Sequence, residues 1–520
     1  MSKILKISLS IILIVYLIFL WKYLLIEEII GLYLVPILVV AVIAGLCFLL
    51  IRIFKPIKYK KVFTGFLVVA CILQVGILFL FFYFFSSQSY TKEQITGDID
   101  FAINMMEDVH PDPYSIISKE DFYRKMDSIK KELPETVPDL VAHKTFRKIY
   151  ALIKDGHTSH PPFPKNPFYN FLPYRFKIVD ERIYLAHNYS YRNVIPVGSE
   201  IISINEKSSQ EYIQEASQLF SWENIPSRNT KLQFPILSPL WDDSQNFKIT
   251  YKTPEGKTKT THASGGIFSL LQFSKDMKQF DSQYNYEYRY LSDSIGYIEF
   301  NWFFDLDKFK VFLDSTFTAI QNKNIKYLII DIRKNGGGDS SLGDELMQYI
   351  SKVDFKDCDS TYIKISKELI EKYMFEWIDS TKRKPGTIYK ITNEPLTKLK
   401  DNPLRFTGKT YLLVGEKTFS SASMFTSAFQ CFKVGTIIGT ETGGLTVCFG
   451  NLYSYTLPET KFDMNLSYKK FYQVCGKEDR HGIIPDYIIE NSIEDDVNSY
   501  DRVLEFTLDL IKKDKLSVSE

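Results

Sequence analysis

Tyr411 to Gly444 reads YLLVGEKTFSSASMFTSAFQCFKVGTIIGTETGG, two short apolar strands flanking a serine-rich turn and a helix. From Ser421 onward, Phe425, Ala428, Phe429 and Phe432 recur at helical spacing, which places Ser420 or Ser421 at the helix start. A serine there can point out of the fold while the N–H groups of the first turn face a developing oxyanion. Taken alone, the pattern also describes an ordinary serine N-cap, the commoner use of this residue.

A second stretch, Ile325 to Gly343, IKYLIIDIRKNGGGDSSLG, favours the first reading. Its apolar strand, Tyr327 to Ile332, runs into Arg333, Asn335 and consecutive glycines, a turn that brings bare N–H groups close to a reacting atom. Together the two stretches resemble the C-terminal processing peptidase and tricorn-core family of serine peptidases, the tail-specific protease superfamily. The family's Asp-Leu-Arg-x-Asn-x-Gly-Gly strand is matched by Asp331 through Gly338, and its Ser-Ala-Ser-Glu/Met segment by Ser421-Ala422-Ser423-Met424. The resemblance covers about residues 95 to 490. It implies a Ser421 nucleophile, with oxyanion donors at the backbone N–H groups of Gly336 or Gly337 and of Ala422.

At 520 residues the chain is too long for one ordinary domain, and its 45% apolar content suffices for a buried core. A net charge of +1 gives no reason to expect a nucleic acid or strongly acidic partner. Cys47 and Cys71 lie in apolar runs. Cys358, Cys431, Cys448 and Cys475 are too few for a disulfide scaffold and form no CxxC pattern; they read as core residues, with one disulfide allowed.

Residues 1–88 carry three apolar runs, about Ile4 to Trp21, Ile29 to Ile51 and Val62 to Phe85, each near the ~20 residues that span a bilayer. They predict three transmembrane helices. Arg52, Lys55, Lys58, Lys60 and Lys61 crowd the second connection, which makes it cytoplasmic and puts everything after Ser87 on the far side of the membrane. Residues 89–166 then read as a small helical bundle. It opens on a Thr91/Gln94 capping box, has helices near Lys119 to Leu133 and Thr145 to Lys154, and is broken by His110-Pro111.

Residues 167–275 are β-rich, and Gly198 through Asn205 followed by a helix resembles the PDZ-like domains of the family, without their carboxylate-binding loop. Residues 276–495 alternate strand and helix, with an irregular region at 354–406, and imply a mostly parallel sheet that the resemblance sharpens to a crotonase-like ββα core. Residues 496–520 form a C-terminal helix and tail. The whole is a multi-domain chain: transmembrane helices, helical bundle, PDZ-like β domain and α/β catalytic core.

A serine hydroxyl needs a neighbouring base. Where many family members carry a lysine about 25 residues after the serine, this chain has Thr446, and no lysine occurs between Lys433 and Lys461. The tricorn-like branch uses a histidine instead, matched by His157 on the Asp155-Gly156-His157-Thr158 turn. The branch's orienting carboxylate falls at Asp479 or Glu478, ahead of Gly482-Ile483-Ile484-Pro485-Asp486. Its orienting serine is replaced by Gly156, for which Asp155 or Thr158 can substitute. His481 is the rival base, and a metal site at His157, His160 and Asp155 is a weaker reading because HExxH spacing is absent.

The resemblance thus implies a membrane-anchored, extracytoplasmic serine endopeptidase, without metal or cofactor, that cleaves peptides or unfolded proteins through an acyl-enzyme. The competing readings are a non-catalytic ligand- or peptide-binding protein on the same scaffold and a membrane-tethered sensor using the PDZ-like part.

Overall fold

The computed structural model describes residues 89–519 apart from 160–169, 191–193, 234–245, 265, 268–284, 374–377 and 379. The three apolar runs of residues 1–88 therefore lie outside it. Among the described residues no helix is long and apolar enough to cross a membrane.

The chain enters through α1 (Lys92–Val109), α2 (Lys119–Glu132) and α3 (Asp139–Ala151). Thr91 and Gln94 form the expected capping box: each side chain takes the other's backbone N–H, which satisfies donors that the first helical turn leaves unpaired. The third helix begins six residues before the expected Thr145, at a Pro138 N-cap whose fixed φ suits a helix entry. Ile95, Ile99, Ala102, Ile103 and Met106 form the buried stripe of α1.

Next comes an antiparallel sheet in the order β1 (Tyr174–Val179), β2 (Arg182–Asn188), β3 (Glu200–Ile204), β4 (Asn246–Lys252) and β5 (Thr258–Ser264), with the short strand Lys207–Ser208 on β3. In β1 and β4 every second residue is buried, the period of a sheet with one covered face. The helices α4 (Ser209–Ser217) and α5 (Ile225–Leu232) lie between β3 and β4 in the chain.

The main sheet has the order β6 (Tyr286–Ser292), β7 (Ile295–Phe300), β8 (Tyr327–Asp331), β11 (Lys409–Val414), β12 (Thr436–Gly439) and β15 (Tyr487–Ile488). All pairs are parallel except the edge strand β6, which is antiparallel to β7. β8 is buried at all five positions because helices cover both faces. On one face α6 (Leu306–Asn322), α7 (Ser341–Ile350) and α8 (Ser421–Cys431) pack Phe309, Phe317, Leu346, Phe425 and Phe429 against Leu328, Ile330 and Leu412. On the other face α9 (Arg502–Ser519) brings Val503 and Ile511 against Ile329, Tyr411 and Ile438.

Residues 354–406 are not irregular. They supply β9 (Cys358–Lys364) and β10 (Ile388–Thr392) to a second antiparallel sheet, ordered β10-β9-β14-β13, with β13 (Val447–Thr456) and β14 (Asp463–Gln473). β9 pairs with β14 across more than a hundred residues of sequence, a long-range contact that no local periodicity announces. One core joins this sheet to the helical bundle, with Ile363, Phe462, Met464 and Leu466 packed among Phe146, Ile149 and Met126. Asp98 of α1 clamps the joint, its oxygens accepting the Glu459 N–H at 2.9 Å and the Thr460 N–H and hydroxyl, each at 2.7 Å.

Cys431 at the end of α8 and Cys475 just past β14 form a disulfide with a Cα separation of 5.8 Å, while Cys358 and Cys448 are buried thiols. The bridge ties the parallel sheet's serine-bearing helix to the antiparallel sheet. It closes a loop spanning 44 positions, for which the chain-entropy treatment gives ~4 kcal/mol. Urea unfolding of Cys431→Ala is expected to show most of that loss. A midpoint unchanged by the substitution would show that the bridge does not stabilise the native state.

Candidate active site

The serine turn is built where β11 hands over to α8. Thr418 donates its hydroxyl to the Ile332 carbonyl at 2.9 Å, and the Phe419 N–H donates to the Asn335 carbonyl at 3.1 Å. These bonds lay the turn against the glycine-rich turn that follows β8. Asn335 is fully buried and pins that second turn, donating to the Phe300 carbonyl at 2.8 Å and accepting the Gly337 N–H at 2.9 Å. Gly337 has φ +101, and a Cβ there would lie 2.7 Å from the Ser420 Cβ and 2.9 Å from the Ser421 nitrogen. The two turns touch so closely that only glycine fits.

Ser420, not Ser421, occupies the elbow. Its backbone has φ 52 and ψ −129, a sparsely populated conformation for a residue with a side chain. Its hydroxyl lies 3.0 Å from His157 Nε2. Ser421 is the first residue of α8 and donates its hydroxyl to the Gly338 carbonyl at 2.6 Å, so the serine expected as nucleophile braces the glycine turn instead. Ser423 is also occupied, donating to the Thr418 carbonyl at 3.0 Å. The Ser-Ala-Ser pattern begins one residue after the serine that faces the histidine, because the strained residue precedes the helix and helical periodicity starts only after it.

The backbone N–H groups around the elbow divide into paired and unpaired ones. The Ala422 N–H is given to the Phe419 carbonyl at 3.1 Å and the Gly337 N–H to Asn335, so neither is free. The N–H groups of Ser421, Gly336 and Gly338 have no acceptor among the described residues. Of these, Ser421 directly follows Ser420 at the N-terminus of α8, where the helix dipole favours negative charge.

His157 stands on the turn after α3. Asp155 organises that turn from a fully buried position: its Oδ1 accepts the His157 N–H at 2.9 Å and its Oδ2 the Thr158 N–H at 3.1 Å. The same carboxylate lies 3.8 Å from His157 Nδ1. Behind it, buried His110 places Nε2 at 3.3 Å from Asp155 Oδ2 while its Nδ1 accepts the Asp112 N–H at 3.1 Å, which makes Nε2 the protonated nitrogen. Thr158 accepts the Ser467 N–H at 3.2 Å, and Ser159 pairs with Asn465, so β14 holds the far side of the loop.

Neither Glu478 nor Asp479 meets the histidine. Glu478 pairs with Lys470 at 2.6 Å, and Asp479 accepts the N–H of His481 at 3.1 Å. His481 is 62% exposed and pairs with Glu441. The carboxylate beside the catalytic-type ring comes instead from the ring's own turn. A residue that the sequence did not single out joins it: Glu223, buried, accepts the Gly156 N–H at 2.9 Å, while Lys231 donates to the Gly156 carbonyl at 3.0 Å. Nothing local marks Glu223, since it becomes a neighbour of His157 only through the tertiary fold.

Electrostatics match this layout. Burial lowers the His157 pKa below its ordinary 6.5, although Asp155 opposes the change, so the ring is neutral near pH 7. Burial alone would raise the Asp155 carboxyl, but the His110 hydrogen bond and the neighbouring rings hold it below the usual carboxylate range. Glu223 is pushed up to about 7 by burial and by the charge of Asp155. Asp155, His157 and Glu223 bring ligand-type atoms within 4.8 Å of one another. The Asp155 oxygens already accept N–H groups and His157 Nε2 faces Ser420, so these ligand-type atoms are engaged within the protein; His160 of the weaker metal reading lies outside the described residues.

No curated protein sequence matches the chain. Among solved structures, mature CPAF superposes with a TM-score of 0.58 at 13% identity, covering 81% of this chain and 97% of CPAF. Mature CPAF complexed with lactacystin gives the same score and identity, covering 81% and 98%. A putative peptidase from Parabacteroides merdae follows with a TM-score of 0.45 at 15% identity, covering 81% and 96%. At 13% identity the likeness to the two CPAF structures is one of fold. Residues 294–489, which carry both the serine and the glycine turns, match peptidase family S41, so this part of the chain is a domain of that family of serine peptidases, a family of hydrolases.

Proposed function

We propose that Ser420 is the nucleophile and His157 the general base of an endopeptidase acting on peptides or unfolded proteins. The 3.0 Å contact between them, at a strained strand-to-helix elbow, carries the reading. His157 Nε2 takes the Ser420 hydroxyl proton as Oγ attacks the scissile carbonyl carbon. The oxyanion is received by the Ser421 N–H and the unpaired glycine-turn N–H groups. On collapse the C–N bond breaks and the imidazolium returns its proton to the leaving amine. Water, deprotonated by the same ring, then releases the acid and restores Ser420. Asp155 holds the turn that carries the ring, and its charge, 3.8 Å from Nδ1, favours the protonated form in each half-reaction. A non-catalytic binding role leaves the strained serine and its neutral histidine partner without a use.

Membrane anchoring, with the catalytic part outside the cytoplasm, is supported by the three apolar runs, by the basic second connection and by the Cys431–Cys475 disulfide, a bond that persists in oxidising compartments.

Ser420→Ala is expected to abolish hydrolysis of an unfolded protein substrate and labelling by a fluorophosphonate. Ser421→Ala is expected to remain active, losing only a hydrogen bond worth ~1 kcal/mol. The reverse pattern would return the nucleophile to Ser421.

Activity needs neutral His157, so it is expected to rise with pH and reach half its plateau below the ordinary 6.5. His157→Ala should cost about 10²–10⁴ in rate. Asp155→Asn removes the charge that favours the imidazolium and should move the half-rise further down in pH. Glu478→Gln and Asp479→Asn should leave the profile in place; a shift in either variant would restore the distal carboxylate as orienter.

A cysteine introduced at Ser87 should react with an impermeant thiol reagent on intact cells. Reaction only after lysis would reject the extracytoplasmic placement.

A further inference from the structure

Away from the serine, a groove of about 830 Å³ opens between α2, α3 and α4, within the size range of small-molecule and peptide pockets. Its walls carry Lys125, Lys148, Lys154 and Arg228 against one carboxylate, Glu181. Glu181 is already paired with Arg228. Lys125, Lys148 and Lys154 have no carboxylate partner among the described residues, which leaves three cations facing one concavity.

Lys154 is the most constrained of the three. Its ammonium sits 3.6 Å from the centre of the Trp222 ring, a cation held by an aromatic face and not by an acid. Burial, reinforced by the nearby charges of Arg480, Arg228 and Lys231, pulls its pKa down to about 8. A ligand carboxylate would relieve that repulsion. The remaining walls suit a peptide: Ile129 and Ile213 are apolar, and Gln210, Gln214 and Gln218 offer amides to a peptide backbone.

We propose that this groove binds a carboxylate-bearing peptide segment, its acid groups on Lys125, Lys148 and Lys154 and an apolar side chain against Trp222. The groove is coupled to the base through the chain itself. Lys154 immediately precedes Asp155, and Trp222 immediately precedes Glu223, so the two residues in cation–π contact each lead into a carboxylate of the His157 cluster. Occupancy therefore changes the setting of the base and hence the hydrolytic rate. The rate effect rests on the peptidase reading; the binding site does not.

The test separates the two. Binding is measured on the full-length chain carrying Ser420→Ala, which leaves the probe uncut, by the tryptophan fluorescence change on adding a short Glu-rich peptide and by calorimetry. Binding that weakens about tenfold or more in the Lys125→Glu, Lys148→Glu double variant is expected, as is loss of the fluorescence change in Trp222→Phe. Comparing the Glu-rich peptide with its Gln counterpart, and the free with the amidated C-terminus, assigns the recognised carboxylate to side chains or terminus. Equal affinity for all forms, or no effect of the double variant or of the milder Lys125→Gln, Lys148→Gln pair, would overturn the site. With the unsubstituted Ser420 chain, an unchanged rate at saturating peptide would overturn the coupling alone.

Discussion

The site depends on one backbone constraint, the elbow at Ser420. A non-glycine residue in this conformation costs roughly 1–3 kcal/mol and persists only where its surroundings over-determine it. Here the Phe419 N–H is held by Asn335, the Thr418 hydroxyl by Ile332, and the Ser420 carbonyl by the N–H groups of Ser423 and Met424. Gly337 closes the other side with no room for a Cβ. The parallel sheet supplies both turns, since β8 and β11 are paired neighbours and their C-terminal ends lie together. Active residues at the carboxyl ends of parallel strands follow from that geometry.

The histidine reaches the serine from a different layer. His110 ends α1, Asp155 follows α3, and β14 holds Thr158 and Ser159, so the imidazole is positioned by the helical bundle and the antiparallel sheet together. The shared core of bundle and sheet, clamped by Asp98, keeps these elements in register. A buried carboxylate is costly unless it is hydrogen-bonded, and Asp155 meets that condition with two backbone N–H groups and one imidazole. Gly156, between Asp155 and His157, has a steric reason as well. A Cβ at Gly156 would lie 2.5 Å from the Phe419 ring and 3.1 Å from the Glu223 carboxyl.

Two carboxyl groups near one imidazole are pushed in opposite directions. Asp155 is stabilised as an anion by donors on each oxygen, whereas one Glu223 oxygen is buried without a partner among the described residues. Their mutual repulsion falls on the less solvated group, and Glu223 therefore titrates near neutrality while Asp155 stays ionised. Asp155 is thus the fixed negative charge beside His157, and Glu223 the titrating one.

Local patterns in the sequence determined the α1 cap at Thr91 and Gln94, the buried strand Tyr327–Asp331, the glycine turn and the placement of His157 on a helix-ending turn. Each depends on residues within a few positions of one another, where hydrogen-bond geometry and periodicity act directly. Tertiary structure decided what those patterns leave open. The choice between Ser420 and Ser421 is a single-residue register set by Gly337 and by a histidine 263 positions away. That Asp155 lies beside His157 while Glu478 pairs with Lys470 is a matter of tertiary packing, and the strands hidden in residues 354–406 depend on pairing with β14. A side chain's environment is fixed by whichever distant segment packs against it, and adjacent serines or adjacent acids present the same chemistry until that packing exists.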